Sequence, residues 1–307
     1  MCIIYIVFIL KKYDFMALSI VYQVDPTNEF IEDLHSKYTF HELVKKNLIQ
    51  RNTHPKIDIF DDHFFFSINV PEYDELSKVY RNFEFDIVLG KDYLIITSKK
   101  DMPWIHDIIR DNQNKSCFMI MYTVLHHIYH DIMQKLDDID DEVTNIQDKL
   151  FDKNKPDQNI VEELLMKKAS ISSIKHNFYP QQRLLDQIVW FGKQYYINES
   201  GHLGLYLEEL QLDLDHIVMK INNLVDNIWS VADTYNSLTN IYSNRTIMTL
   251  TIISIIFAPL SFLTGLFGVN FSGMPFVDLK YGFYGLVIFI IVFVSILIYI
   301  FRRKWWI

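Results

Sequence analysis

The rhythm of hydrophobic and polar positions changes twice along the 307-residue chain. Between residues 16 and 115, short alternating or apolar runs predict strands at Leu18–Val24, Phe64–Val70, Phe85–Leu89 and Tyr93–Thr97. The turn Gly90-Lys91-Asp92 joins the last pair as a hairpin. Helical spacing predicts helices at Glu29–Lys37, His41–Leu48 and Met102–Asp111. Strands mixed with short helices make this a small α+β domain of about a hundred residues. The apolar run Cys2–Leu10 before it is too short to cross a bilayer and lacks the flanks of a signal peptide. Two readings fit it: a first strand, or a start at Met16 with Ala17–Val24 as the opening strand.

From Ser116 to Ser243 a heptad rhythm takes over. Leu136, Ile139, Val143, Ile146 and Leu150 alternate spacings of three and four. Ile217, Ile221, Leu224, Ile228, Val231, Tyr235, Leu238 and Tyr242 repeat the pattern over eight seam positions. Long helices packed along their lengths follow from this. No Gly or Pro separates Gly204 from Pro259, so one helix can run from this region straight into the hydrophobic tail.

That tail holds two segments of membrane-spanning length, Thr246–Phe267 and Tyr281–Phe301, separated by the short loop 268–280. Arg302, Arg303 and Lys304 follow the second, which places the C-terminus in the cytoplasm; two spans then return the N-terminal body to the same side. The domain divisions read from the pattern are 1–115, 116–243, 244–267, 268–280, 281–301 and 302–307.

Charge sharpens the division. Twenty-four basic and 37 acidic side chains precede residue 244, a net of −13, whereas five basic and one acidic follow it, a net of +4. An acidic body on a weakly basic membrane tail disfavours nucleic acid as a partner and favours cations. Cys2 and Cys117 form no disulfide framework and no CxxC knuckle, which points to a reducing compartment. No phosphate-binding Gly-rich loop and no G-x-S-x-G occurs, and nothing in the sequence indicates catalysis or a bound cofactor.

Within the first span, Thr251, Ser254, Ala258, Ser261 and Gly265 form a small, weakly polar stripe. Such a stripe serves close helix packing, as in a non-conducting membrane-anchored sensor or scaffold, or it lines a pore. Two helices per chain cannot enclose water, so a conducting protein of this design must oligomerise. In the loop, Gly268-Val269-Asn270 is either a plain turn or a selector whose neutral Asn270 oxygen binds a hydrated divalent ion, since Mg²⁺ dehydrates reluctantly.

The passage from Thr251 through Gly268-Val269-Asn270-Phe271, followed by Met274-Pro275, Tyr281-Gly282 and Arg302-Arg303-Lys304-Trp305-Trp306, resembles the CorA family of divalent-cation transporters. Asp215-His216, Ser243-Asn244, Tyr179-Pro180 and Arg51-Asn52-Thr53-His54-Pro55-Lys56, the last before an apolar strand, extend the resemblance over nearly the whole chain beyond residue 16. It implies an α+β fold: a cytoplasmic αβα domain, a long helical stalk and two C-terminal transmembrane helices. It further implies a homopentamer in the plasma membrane that conducts Mg²⁺, with Co²⁺ or Ni²⁺ as further ions, under the control of intracellular metal. By position, the pore face comprises Asn244, Ile247, Leu250, Ala258, Ser261 and Asn270, with Thr251 and Ser254 adjoining, and Ile247 and Leu250 form a hydrophobic gate. Asp213 and Asp215 are the nearest carboxylates for an intersubunit regulatory metal. Val269 replaces the usual methionine, and Ser272 and Phe276 replace acidic residues, leaving Asp278 the loop's one carboxylate. These departures leave a Zn²⁺ transporter of the same fold as the alternative.

Two further clusters stand out. The acidic run Asp137-Asp138-Ile139-Asp140-Asp141-Glu142 reads as a solvated coiled-coil face or as a cation-concentrating surface. His126, His127 and His130 have helical spacing but lack the glutamate of a hydrolase motif, so a surface or packing role is expected.

Overall fold

The computed structural model describes residues 18–51, 54–152, 158–195, 203–269 and 280–303. The N-terminal run, Asn52-Thr53, Asn270 and the rest of the loop to 279, and the terminal Lys304-Trp305-Trp306 lie outside the described residues. The chain divides into two compact units, residues 1–153 with 157–232, and residues 233–307 with 154–156.

In the first unit five strands, β1 (Ser19–Val24), β2 (Lys56–Ile59), β3 (His63–Asp74), β4 (Val79–Gly90) and β5 (Tyr93–Ser98), form one sheet in the order β1-β5-β4-β3-β2. β1 pairs with β5 in parallel and the other pairs are antiparallel. The parallel pairing requires a crossover, which α1 (Asn28–Tyr38) and α2 (Glu42–Gln50) supply within the longer connection. Each of these helices begins on a side-chain cap: Thr27 Oγ1 accepts from Phe30 N–H, and His41 Nδ1 accepts from Leu43 N–H. β3 and β4 extend well past the predicted spans, because Tyr73, Tyr80 and the polar residues near the hairpin tip continue the ladder where hydrophobicity fades. At the β4–β5 turn, a Cβ on Gly90 would fall 2.2 Å from a ring carbon of Tyr93, so a larger residue there requires that ring to shift.

Alternation along the strands explains the layers. Phe65, Val88 and Ile95 pack with Ile31, Leu34, Phe40, Val44 and Leu48 of α1 and α2. Ile87, Leu94 and Ile96, on the other alternation, are fully buried as well, and α3 (Pro103–Asp111) and α4 (Cys117–Asp152) pack against β1, β4 and β5. The result is the αβα sandwich expected from the sequence. Cys117 is a free, buried thiol, and burial pushes its pKa up to about 12.

Three long helices complete the fold: α4, α5 (Gln158–Tyr195) and α6 (Leu203–Gly268). The α4 seam from Leu136 to Leu150 is buried throughout, as are Ile171, Ile174 and Phe178 on α5. On α6, Ile217, Ile221, Leu224, Ile228 and Val231 are buried at 3% exposure or less, whereas Tyr235, Leu238 and Tyr242 at the same spacing are half-buried. α6 runs unbroken for 66 residues and passes through Pro259, as the absence of earlier breakers suggests.

The second unit contains the C-terminal part of α6 and α7 (Gly282–Arg303). Both helices are long and apolar enough to cross a membrane, and their most hydrophobic windows are 6% and 0% buried. Such exposure is unfavourable in water and natural in lipid.

Candidate functional site

At 100° per residue, Asn244, Ile247, Leu250, Thr251, Ser254, Ala258 and Ser261 occupy an arc of about 120° on α6. All seven are exposed, Ile247 and Leu250 at 60% and 64%. The opposite side of the same helix carries Ile252, Ile256 and Leu263, which are buried or half-buried. The other described helix of this unit, α7, has its own half-buried stripe at Leu286, Ile290, Phe293 and Leu297, ending at the buried Phe301. Within one chain, therefore, α6 covers the line of Ile252, Ile256 and Leu263 and leaves the small, weakly polar stripe open, together with Ile253, Phe257 and Phe262.

The hydroxyl groups on that open side are oriented. Thr251 Oγ1 donates to Ile247 O at 2.8 Å and Ser254 Oγ donates to Leu250 O at 2.9 Å. Each hydroxyl has one proton and uses it inside the helix, so it turns only acceptor lone pairs outward. An outward acceptor surface suits a cation or the hydrogens of its hydration water. Gly268 ends α6 and Val269 follows in a bend.

The acidic candidates of the first unit are engaged within the chain. Asp213 Oδ2 lies 2.9 Å from His126 Nδ1 on α4, and Asp215 Oδ1 accepts from Gln182 Nε2 on α5 at 2.5 Å. Two residues apart on a helix, they point about 200° apart and serve different neighbours. Lys220 of α6 reaches Asp137 at 2.9 Å and Asp140 at 2.6 Å, and Lys167 of α5 pairs with Glu142. Three of the five acids of the run thus fasten α4 to its neighbours, while Asp138 and Asp141 remain exposed. The histidines separate: His126 faces Asp213, and His127 stacks on Trp104 of α3 with ring centroids 4.2 Å apart. Burial lowers the pKa of His127, consistent with packing. Among the described residues no group of three or more His, Cys, Asp or Glu is placed to hold a metal.

Sequence reasoning missed a polar row on β4, half-buried at Asn82 and Glu84 and buried at Asp86. Asn82, Glu84 and Asp86 share one side of β4; Asp86 is 5% exposed, and burial pushes its carboxyl up to about 6 and that of Glu84 up to about 8. Extending the predicted strand upstream of Phe85 would have exposed this alternation.

An α/β domain whose last helix continues into a pair of open apolar helices defines an integral membrane protein with two C-terminal spans. The chain belongs to the CorA-like Mg²⁺ transporter protein family, whose profile matches residues 20–303. It is a divalent-cation transporter of that family and not an enzyme. The cobalt/magnesium transport protein CorA of Thermotoga maritima is 21% identical over 277 residues, 88% of this chain and 77% of that protein. The zinc transport protein ZntB of Photorhabdus laumondii is 23% identical over 81% of this chain and 78% of its own length. The complete structure of the CorA magnesium transporter from Methanocaldococcus jannaschii superposes with a TM-score of 0.80 at 20% identity, covering 97% of this chain and 95% of that one.

Proposed function

We propose that this chain assembles as a homopentamer in the plasma membrane, with both termini in the cytoplasm, and conducts Mg²⁺ and related divalent ions along an axis lined by α6. The carrying observation is the exposed arc of α6, on which Thr251 and Ser254 turn only acceptor lone pairs outward. Five such arcs around an axis would give an uncharged, water-bearing path. In it Ile247 and Leu250 act as a gate that closes by dewetting, and Asn244, Ala258 and Ser261 complete the lining. At the outer end, Gly268-Val269-Asn270 is the selectivity loop and Asn270 the contact for hydrated metal. Intracellular metal held between acidic faces of neighbouring subunits, with Asp213 and Asp215 as candidates, keeps the path closed.

Uptake into liposomes of Mg²⁺, Co²⁺, Ni²⁺ and Zn²⁺ tests this reading, and no flux of any of the four under any gradient would overturn it. Asn270→Ala is expected to abolish uptake and leave the oligomer intact. Unchanged flux would assign Asn270 to a turn. A second reading, Zn²⁺ transport, draws support from Val269 in the loop and from the similarity to the zinc transport protein ZntB. Ion competition within the same flux series separates the two.

A further inference from the structure

Two imidazoles meet at the N-terminus of α2, and each accepts a backbone hydrogen there. His63, the first residue of β3, is 3% exposed, and its Nε2 accepts from the backbone N–H of His41 at 3.1 Å. A backbone N–H keeps its hydrogen, so Nε2 is bare and the ring's one hydrogen sits on Nδ1, 2.5 Å from Asp62 Oδ1. That defines a single neutral tautomer. His41 caps α2 in the same manner, its Nδ1 accepting from Leu43 N–H at 3.1 Å. The Phe60 ring lies nearly parallel to both imidazoles, with centroids 4.6 Å from His41 and 4.5 Å from His63.

This arrangement fixes where an added proton must go. Asp62 keeps the Nδ1 hydrogen of His63 whether the ring is neutral or charged, so a second proton binds at Nε2. There it meets the hydrogen of His41 N–H, and a bond becomes two donors face to face. His41 meets the same conflict, because its cap nitrogen, once protonated, has no lone pair for Leu43 N–H. Two charged rings would also stack on one phenyl ring at the positive end of the α2 dipole. Attraction to Asp62 works the other way, but that carboxylate is 78% exposed and screened by water.

The other ionisable groups around the pair do not reproduce this response. They are Asp61 and Asp62 of the β2–β3 turn, Glu42 and Lys45 of α2, His35 of α1, and Lys91, Asp92 and Tyr93 next to Gly90, the register partner of His63. Lys45 pulls Glu42 below the usual carboxylate range, so Glu42 stays charged in mild acid. Burial and the charge of Asp62 push Tyr93 up to about 12, so it stays neutral. His35 lies 3.6 Å from Glu42 and gains an ion pair on protonation, which would tighten α1 against α2.

We propose that His63 and His41 form an acid-released latch: neutral, they fasten the first turn of α2 to β3, and protonated, they let it go. The turn carries Val44, which packs in one core with Phe65, Val88 and Ile95 of the sheet. Acid therefore loosens the cover over that face. The latch lies wholly within the first unit and does not depend on the transport reading.

Hydrogen–deuterium exchange of the full-length protein in detergent micelles, corrected for the chemical exchange rate at each pH, tests this. Protection of the amides at 42–48 is expected to fall on the order of tenfold between about pH 7.5 and about pH 5.5, while that of Ile95 and Ile96 in β5 holds. His63→Gln supplies an amide oxygen that does not titrate, and should remove most of the fall. If that buried replacement does not fold, His41→Pro serves in its place. The φ of −60° at His41 already suits proline, and without an N–H there the proton on His63 has no bond to break, so the fall should again shrink. Equal falls in the wild type and either folded variant overturn the proposal, as does wild-type protection that ignores pH. A fall shared equally by β5 also overturns it, since the whole domain rather than α2 would then answer to acid.

Discussion

Ile87 in the sheet and Ile288 in α7 are the same residue under opposite rules. Ile87 is fully buried between layers of its own chain, and Ile288 is 62% exposed. The first unit builds its hydrophobic cores internally, on both faces of the sheet and along buried seams of three helices. The second unit does not, and its two apolar helices stay almost wholly exposed within the chain. α6 carries this contrast along a single helix, where one heptad seam is buried as far as Val231 and half-buried from Tyr235 on. Periodicity states which residues seek a partner; whether the partner belongs to the same chain is a separate matter.

The matched pair gives the largest expected difference. Ile87→Ala should cost about 2–5 kcal/mol by leaving a cavity in a packed core, whereas Ile288→Ala should cost under about 1 kcal/mol in micelles, where detergent fills the space. Thermal unfolding of both variants in the same detergent checks this, and equal losses would erase the contrast. Next, Ser254→Phe fills the open arc of α6 without touching its buried side. Ion flux into liposomes is expected to fall on the order of tenfold or more, with helix content unchanged, and undiminished flux would make that arc a packing surface.

A smaller effect concerns the helix ties of the first unit. Lys220→Met removes the ammonium shared by Asp137 and Asp140, and should destabilise the unit by about 1 kcal/mol, since the group is only partly shielded from solvent. Added salt should shrink the difference between wild type and variant, as screening predicts for an exposed pair. A variant indistinguishable from wild type at low salt would show that the seams alone hold α4 to α6.

Much of this was legible in the chain. Seam positions such as Leu136, Val143 and Ile221, strand β5 and the open stripe on α6 announced themselves because each has a period matched to its element. The length of α6 was legible from the absence of breakers. The pairing of β1 with β5 was not, because parallel register depends on a crossover whose path no local pattern records. The partners of the acidic residues were not legible for the same reason. Asp213 faces a histidine 87 positions away, a pairing that no local pattern records. Glu84 and Asp86 look like ordinary polar residues flanking Phe85, yet Asp86 is 5% exposed, set between Ser67 of β3 and Thr97 of β5.

The sequence by itself determined the three-part organisation, the two spans, the acidic body and the residues that line one face of α6. These follow from composition and periodicity, which are local properties of a chain in water or lipid. Only the tertiary structure decided which carboxylates are tied within the chain, that Asp86 is buried, and which line of α6 is covered. Those outcomes depend on desolvation and donor supply at contacts between distant segments, and neither quantity exists until the segments meet.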